Sequence, residues 1–243
     1  MIIGATDNKD WGIVTLIYGP SGVGKTVLAA LAGGLYIDME GGQRSILDPK
    51  PFILTVENFG ELVEVQAALT TMKSSKTRKL NLRGTEIDLT AKPTITIDTV
   101  DGSSGLAKRQ VLGTKEVMKG FDDWNLLIAR TTNPLKFFLD LRMSGFNINL
   151  IAHEEYEKSD LTSIIKGQPN LPGKDTAEWL CAQADVVLHM VVKQTAEGDQ
   201  RCCVSQPDGV FFAKDRTWKL PKFTQSKTPQ ELASLVWGKL HVR

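Results

Sequence analysis

The chain has 243 residues, of which 42% are hydrophobic and 23% charged, with 29 basic residues against 28 acidic ones. These proportions exclude a disordered, collagenous or coiled-coil protein, and a net charge of +1 excludes the chain acting as a wholesale polycation while leaving room for a local basic strip. No apolar run of about 18 residues could span a bilayer, the first ten residues carry no signal-peptide pattern, and three cysteines make no disulfide framework. The expectation is a protein of a reducing cytoplasm with no membrane partner.

Short β-like runs alternate with helical ones. Residues 13–18 (IVTLIY) read as a buried strand, followed by a glycine-rich turn and a helix over 25–31. Strands are expected at 35–39 and 52–55, and a helix at 58–72 with Leu62, Val65 and Leu69 at helical spacing. Residues 80–89 alternate around Arg83-Gly84 and predict a small hairpin. A strand at 94–98 is followed by a polar, glycine-containing stretch, 102–122, that reads as a long loop or a weakly formed helix. A helix at 124–143 carries Pro134 as an expected kink. A strand at 147–152, a second long polar loop at 154–174 and a helix at 175–183 come next. Strands at 186–192, 201–205 and 210–213 and a closing helix at 229–240 complete the pattern. Alternation of this kind predicts an α/β fold whose mostly parallel sheet is flanked by helices, with an inserted hairpin and antiparallel strands at the C-terminal end. No linker divides it, so one domain over residues 1–243 is expected. Loops of about 20 residues exceed what a compact fold needs and point to function.

The strongest motif is Gly19-Pro20-Ser21-Gly22-Val23-Gly24-Lys25-Thr26, between the first strand and the first helix. This G-x-x-x-x-G-K-[ST] string cradles phosphates with backbone amides, sends Lys25 to the β- and γ-phosphates and sets the Thr26 hydroxyl on Mg²⁺. The cofactors expected are therefore ATP and Mg²⁺. Asp98 ends an apolar strand and is the expected second metal group, although a strand-end aspartate also caps turns. Asp101 is either a supporting acid or a turn former. Glu40 ends the second strand, where the active groups of open α/β sheets gather, and is a candidate base for polarising water; Asp38 points to the same side. An acidic strand end is equally an ordinary solvated edge.

Taken together, these residues resemble the RecA-type ATPase core. The resemblance implies that Glu40, within Tyr36-Ile-Asp-Met-Glu40, activates water, that Ile95-Thr-Ile-Asp98 is the metal strand, and that His153, within Asn149-Leu-Ile-Ala-His153-Glu154, is a polar sensor. The segment Lys214-Asp215-Arg216 is similar to the Lys-x-Arg element of RadA-like and hexameric-helicase cores, in which both cations reach a neighbouring subunit's ATP site. A solvated basic turn would look the same. The whole chain from Gly12 onward is most similar to small phage-encoded single-strand annealing recombinases. That resemblance implies a DNA-stimulated ATPase in a ring or helical filament with its ATP site between subunits, in the host cytoplasm if phage-encoded. Its implied partners are single-stranded DNA, further copies of itself and a single-strand binding protein. A RecA-core helicase motor and a nucleotide-gated scaffold without turnover are the alternatives.

In such cores the two long loops line the DNA channel. Here they offer Lys108, Arg109, Lys115 and Lys119, and then Lys158, Lys166 and Lys174. Phosphate charge dominates the affinity for single strands. Neither segment reads as an aromatic stacking platform, so no sequence preference is expected. The run 73–79 is the densest in basic residues and reads more simply as an exposed loop. The cysteines and Trp124, Trp179, Trp218 and Trp237 read as core, with Trp218 also a candidate for a subunit seam.

Overall fold

The computed structural model describes residues 11–46, 48–158, 165–173, 175–196 and 198–241. Six strands form the parallel centre: β1 (Val14–Gly19), β2 (Leu35–Asp38), β3 (Phe52–Thr55), β6 (Thr94–Asp98), β7 (Asn147–Lys158) and β9 (Val186–Thr195). Their order is β9-β1-β7-β6-β2-β3. One strand, β7, thus separates the strand that feeds the phosphate loop from the strand that ends in Asp98. β10 (Gly198–Val204) and β12 (Phe223–Ser226) extend the sheet antiparallel beyond β9. The hairpin β4 (Lys79–Leu82) and β5 (Thr85–Asp88) is a separate two-stranded sheet turning at Arg83-Gly84.

Central strands buried on both faces read as continuous apolar runs, and all six residues of β1 are buried. One face packs against α1 (Lys25–Ala30) and α6 (Pro229–Leu240), through Leu28, Leu232 and Val236. The other packs against α2 (Phe59–Ser74), α3 (Val100–Leu112), α4 (Gly120–Asp140) and α5 (Thr176–Gln183), through Leu62, Leu106, Leu135 and Leu180. Asn58 caps α2, its side chain accepting from the Glu61 amide. The helix α4 continues through Pro134.

Of the two long polar stretches of the sequence reading, the first takes its helical alternative and the second is corrected. Residues 100–112 are helix, capped by Thr99, whose hydroxyl accepts from the Gly102 amide. Composition is ambiguous here, and Gly102 serves close approach: a Cβ on it would stand 2.9 Å from Glu40 Cγ. Buried Ser103, Leu106, Ala107 and Val111 then fix the helix through packing. The second loop is a hairpin, in which β7 runs on to Lys158 and β8 (Ile165–Pro169) returns antiparallel to it. Its polar residues are satisfied from outside the hairpin and across it: Glu154 Oε2 lies 2.9 Å from His189 Nε2, and Gln168 Nε2 donates to Glu155.

The strand expected at 210–213 is also corrected. Asp208 accepts from the amides of Val210 and Phe211, which removes those donors from any ladder, and only an isolated bridge joins Phe211 to Gly167. The two-residue β11 (Lys214–Asp215) follows, and β12 was not expected at all. All three cysteines are buried and unpaired, and burial pushes the Cys181 thiol up to about 12. Trp237 is core, but Trp124 is exposed, against expectation, and Trp218 is exposed too, against the core reading though not against its place at a seam.

Trp237 also donates its indole N–H to the Leu28 carbonyl at 2.8 Å, tying α6 to the helix that follows the phosphate loop. Replacing it with alanine removes a large buried ring and an internal hydrogen bond together. We expect Trp237→Ala to lower stability by about 3–5 kcal/mol in urea unfolding, with Trp237→Phe losing clearly less.

Candidate functional site

The site forms at the C-terminal ends of the parallel strands. The loop 19–24 turns out of β1 with positive φ at Gly19, Gly22 and Gly24. Lys25 is buried and donates its ammonium to the carbonyls of Gly19 (2.9 Å) and Pro20 (2.7 Å). Burial lowers its pKa, opposed by the nearby carboxylates of Asp98 and Asp101. Thr26 Oγ1 donates to Asp98 Oδ2 at 2.9 Å. The same oxygen accepts a short hydrogen bond from the Tyr36 hydroxyl. Burial raises the Asp98 carboxyl above the ordinary range, and the two hydroxyl donors counter this.

Asp38 has a different task from the one its position suggested. Its Oδ1 accepts from the amides of Glu40, Gly41 and Gly42, and its Oδ2 from that of Gln43. Four amides gathered on one carboxylate fix the turn that carries Glu40. Glu40 itself is exposed as a whole residue, yet desolvation of its carboxyl raises its pKa, with the Thr99 hydroxyl opposing.

His153 stands opposite Gly19 across the β1–β7 pair. Its amide donates to Asp101 Oδ1 at 3.0 Å, and its ring Nδ1 lies 2.6 Å from Asp101 Oδ2 and 3.9 Å from Glu40 Oε2. Asp101 is therefore the acid that orients His153, a role the sequence left undecided. Carboxylates at i and i+3 on either side of a helix start were the available signal, but which strand they would face was not legible.

A pocket of about 360 Å³ is lined by Ser21, Gly24, Lys25, Thr26, Glu40, Asp98 and His153. The hydroxyl of Thr26 and the carboxylate of Asp98 are hard oxygen donors held together at its wall, the donor set Mg²⁺ takes with nucleotide phosphates. Gly42 approaches them closely enough that a Cβ would stand 3.2 Å from Asp98 Oδ2. The residues present fit both ATP and Mg²⁺. Arg201 also lines this pocket and was not singled out in the sequence, because nothing near it in the chain forms a motif.

The remaining sites lie elsewhere. Lys214 and Asp215 pair with Val187 and Val186, and the Arg216 amide donates to the Asp185 carbonyl. This is the opposite end of β9 from the phosphate loop, roughly 15 Å away along the strand. Lys214 donates to the Cys181 carbonyl at 2.6 Å, at the C-terminal end of α5, and Arg216 is exposed. Lys108 and Arg109 are exposed on α3, with Arg109 donating to the Glu57 carbonyl; Lys119 is exposed beyond it. Lys115 is paired with Asp123 at 2.9 Å. Phe121, within the 102–122 segment, and Trp124, just beyond it, are exposed. Lys158 and Lys166 belong to the backbone of β7 and β8, and Lys174 lies outside the described residues.

A phosphate-loop motif after β1, an aspartate ending β6 within hydrogen-bond reach of Thr26, and one strand between them define a RecA-like P-loop nucleotide-binding fold. The chain belongs to the AAA domain family, whose model matches residues 12–217. No curated protein matches it. Among solved structures it is similar to a KaiC-like protein from the hyperthermophilic archaeon Pyrococcus horikoshii, at 13% identity over 90% of this chain and 88% of that one, with a TM-score of 0.48. It is similar also to the RadB recombinase, at 13% identity over 90% and 89%, with a TM-score of 0.48. The flagellar accessory protein FlaH from Methanocaldococcus jannaschii matches at 10% identity over 88% and 84%, with a TM-score of 0.40. Among the described residues no helix is long and apolar enough to cross a membrane.

The Asp38 carboxylate gives this site its first test. Asp38→Ala strands several amides of the Glu40 turn, and we expect a loss of about 2 kcal/mol or more in urea unfolding. Asp38→Asn, which keeps one acceptor oxygen, should lose less.

Proposed function

We propose that this protein is a Mg²⁺-dependent ATPase of DNA recombination that assembles on single-stranded DNA and promotes annealing. The proposal takes residues 1–243 as one domain and includes a single-strand binding protein among its partners. Lys25 holds the β- and γ-phosphates, Thr26 and Asp98 hold the metal, and Glu40 takes the proton of the attacking water. His153, oriented by Asp101, senses the γ-phosphate.

The single observation that carries the assembly is the position of Arg216. It is exposed at the end of β9 opposite its own phosphate loop, so it is free to serve a neighbouring subunit's nucleotide and not its own. A guanidinium delivered in trans stabilises the charge that develops during phosphoryl transfer. Lys214, docked on α5, anchors the strand that presents it. The exposed Lys108, Arg109 and Lys119, next to Phe121 and Trp124, support a single-strand surface that combines backbone charge with base stacking. Lys115, Lys158, Lys166 and Lys174 stay in the proposal as secondary backbone contacts.

The raised carboxyl of Glu40 sets a pH dependence. A base must be ionised to accept a proton, and a raised pKa means protonation begins at higher pH than for an ordinary glutamate. Turnover should therefore fall on acidification well before an ordinary glutamate would protonate. Glu40→Gln should cut turnover about 10²-fold or more and abolish that acid limb while nucleotide binding persists.

Arg216 gives the test of assembly. Arg216→Ala and Glu40→Gln should each suppress turnover on single-stranded DNA. Mixing the two creates interfaces with an intact Glu40 on one side and an intact Arg216 on the other, and activity should return. If mass measurement shows mixed assemblies and no activity returns, Arg216 does not act in trans.

A further inference from the structure

We infer that Arg201 is a second cation of the nucleotide pocket, supplied by the same subunit and directed at the α- and β-phosphates rather than the γ-phosphate. This rests on reading the pocket as a nucleotide site.

The register of the sheet brings Arg201 there. His189 of β9 stands opposite Tyr18 of β1, and Arg201 of β10 stands opposite Val192, three residues further along β9. Arg201 is therefore carried past the end of β1, to the level of the loop that follows it. Strand alternation gives it the same face as Cys203, which packs in the layer of α1 and α6. The side chain lines the pocket beside Gly24, Lys25, Thr26 and Val27. A Cβ on Gly24 would stand 3.1 Å from its Nε and 3.4 Å from its Cδ, so the bare glycine is what admits the guanidinium to the loop.

The hydrogen-bond accounting points to an anionic ligand. Arg201 Nε is buried and has no partner among the described residues, and the side chain makes no ion pair with any of them. Leaving a charged donor buried and unpaired is costly. Two other charged groups of the pocket are already matched: Lys25 to two carbonyls and Asp98 to two hydroxyls. Arginine, with a planar fork of donors, suits phosphate oxygens. Gly24 belongs to the loop stretch whose amides cradle the α- and β-phosphates, whereas Glu40 and Asp98 mark the end where the γ-phosphate and metal lie. A cation at Gly24 thus reads phosphates that ATP and ADP share.

The test compares ADP with ATP. Calorimetric titration of Arg201→Gln with each nucleotide and Mg²⁺ should show affinity weakened about 10- to 100-fold for both, by equal factors. Arg201→Lys should recover part of the loss. ADP affinity within about twofold of wild type, or a loss confined to ATP, would overturn the assignment. Should the glutamine variant not fold, the wild-type protein answers instead: ADP with Mg²⁺ should protect Arg201 from phenylglyoxal, read by mass spectrometry, and equal labelling with and without ADP would overturn it. Lys25→Ala separates the two levels of the argument. If it abolishes binding while Arg201→Gln does not weaken it, only the role of Arg201 falls; if it leaves binding intact, the pocket reading itself falls.

Discussion

The carboxylate of Asp98 is the point on which the rest of the site depends. It is buried, and burial alone would drive it toward the neutral form. Two hydroxyls converge on its Oδ2, one from Thr26 at the start of α1 and one from Tyr36 on β2. Three elements distant in sequence are thus pinned to one oxygen. The strand order makes this possible, because β6 lies between β2 and β7 and the phosphate loop arches over β7 to reach it. A metal at this point would take over donors that are already in place, so little reorganisation would accompany its arrival.

Around that centre the protein uses carboxylates as scaffolding. Asp38 gathers four amides and so holds the turn that carries Glu40. Asp101 binds both the amide and the ring of His153. Neither acid is needed for the chemistry we assign to the site. Both fix the side chains that are, with hydrogen bonds to a charged acceptor, which are stronger than neutral ones. Gly102 completes the arrangement by letting α3 start against Glu40 without a clash.

The antiparallel extension of the sheet distributes the cations. β10 runs back toward the phosphate loop and delivers Arg201 to it, whereas β11 pairs with the opposite end of β9 and leaves Arg216 there. Two arginines fifteen residues apart in the chain therefore stand at opposite ends of one strand. One lines the pocket beside the phosphate loop and the other is exposed. A division of this kind would let binding be settled within a subunit while turnover waits for a neighbour.

The sequence by itself determined the parallel core and the phosphate loop. Continuous apolar runs ending in Gly19, Asp38 and Asp98 have no other stable home than a sheet covered on both faces, and the loop motif is local in the chain. The tertiary structure decided what depended on partners far away. Gly102 and its neighbours left loop and weak helix open because glycine marks flexibility in a sequence, yet here it marks contact with Glu40, and the helix is held by packing that the sequence does not display. The hairpin β7–β8 was hidden because its polar residues look solvated until His189 and Phe211 are seen against them. Arg201 was silent for the same reason: its meaning lies in a sheet register that sets it beside Gly24, and only pairing between β9 and β10 fixes that register.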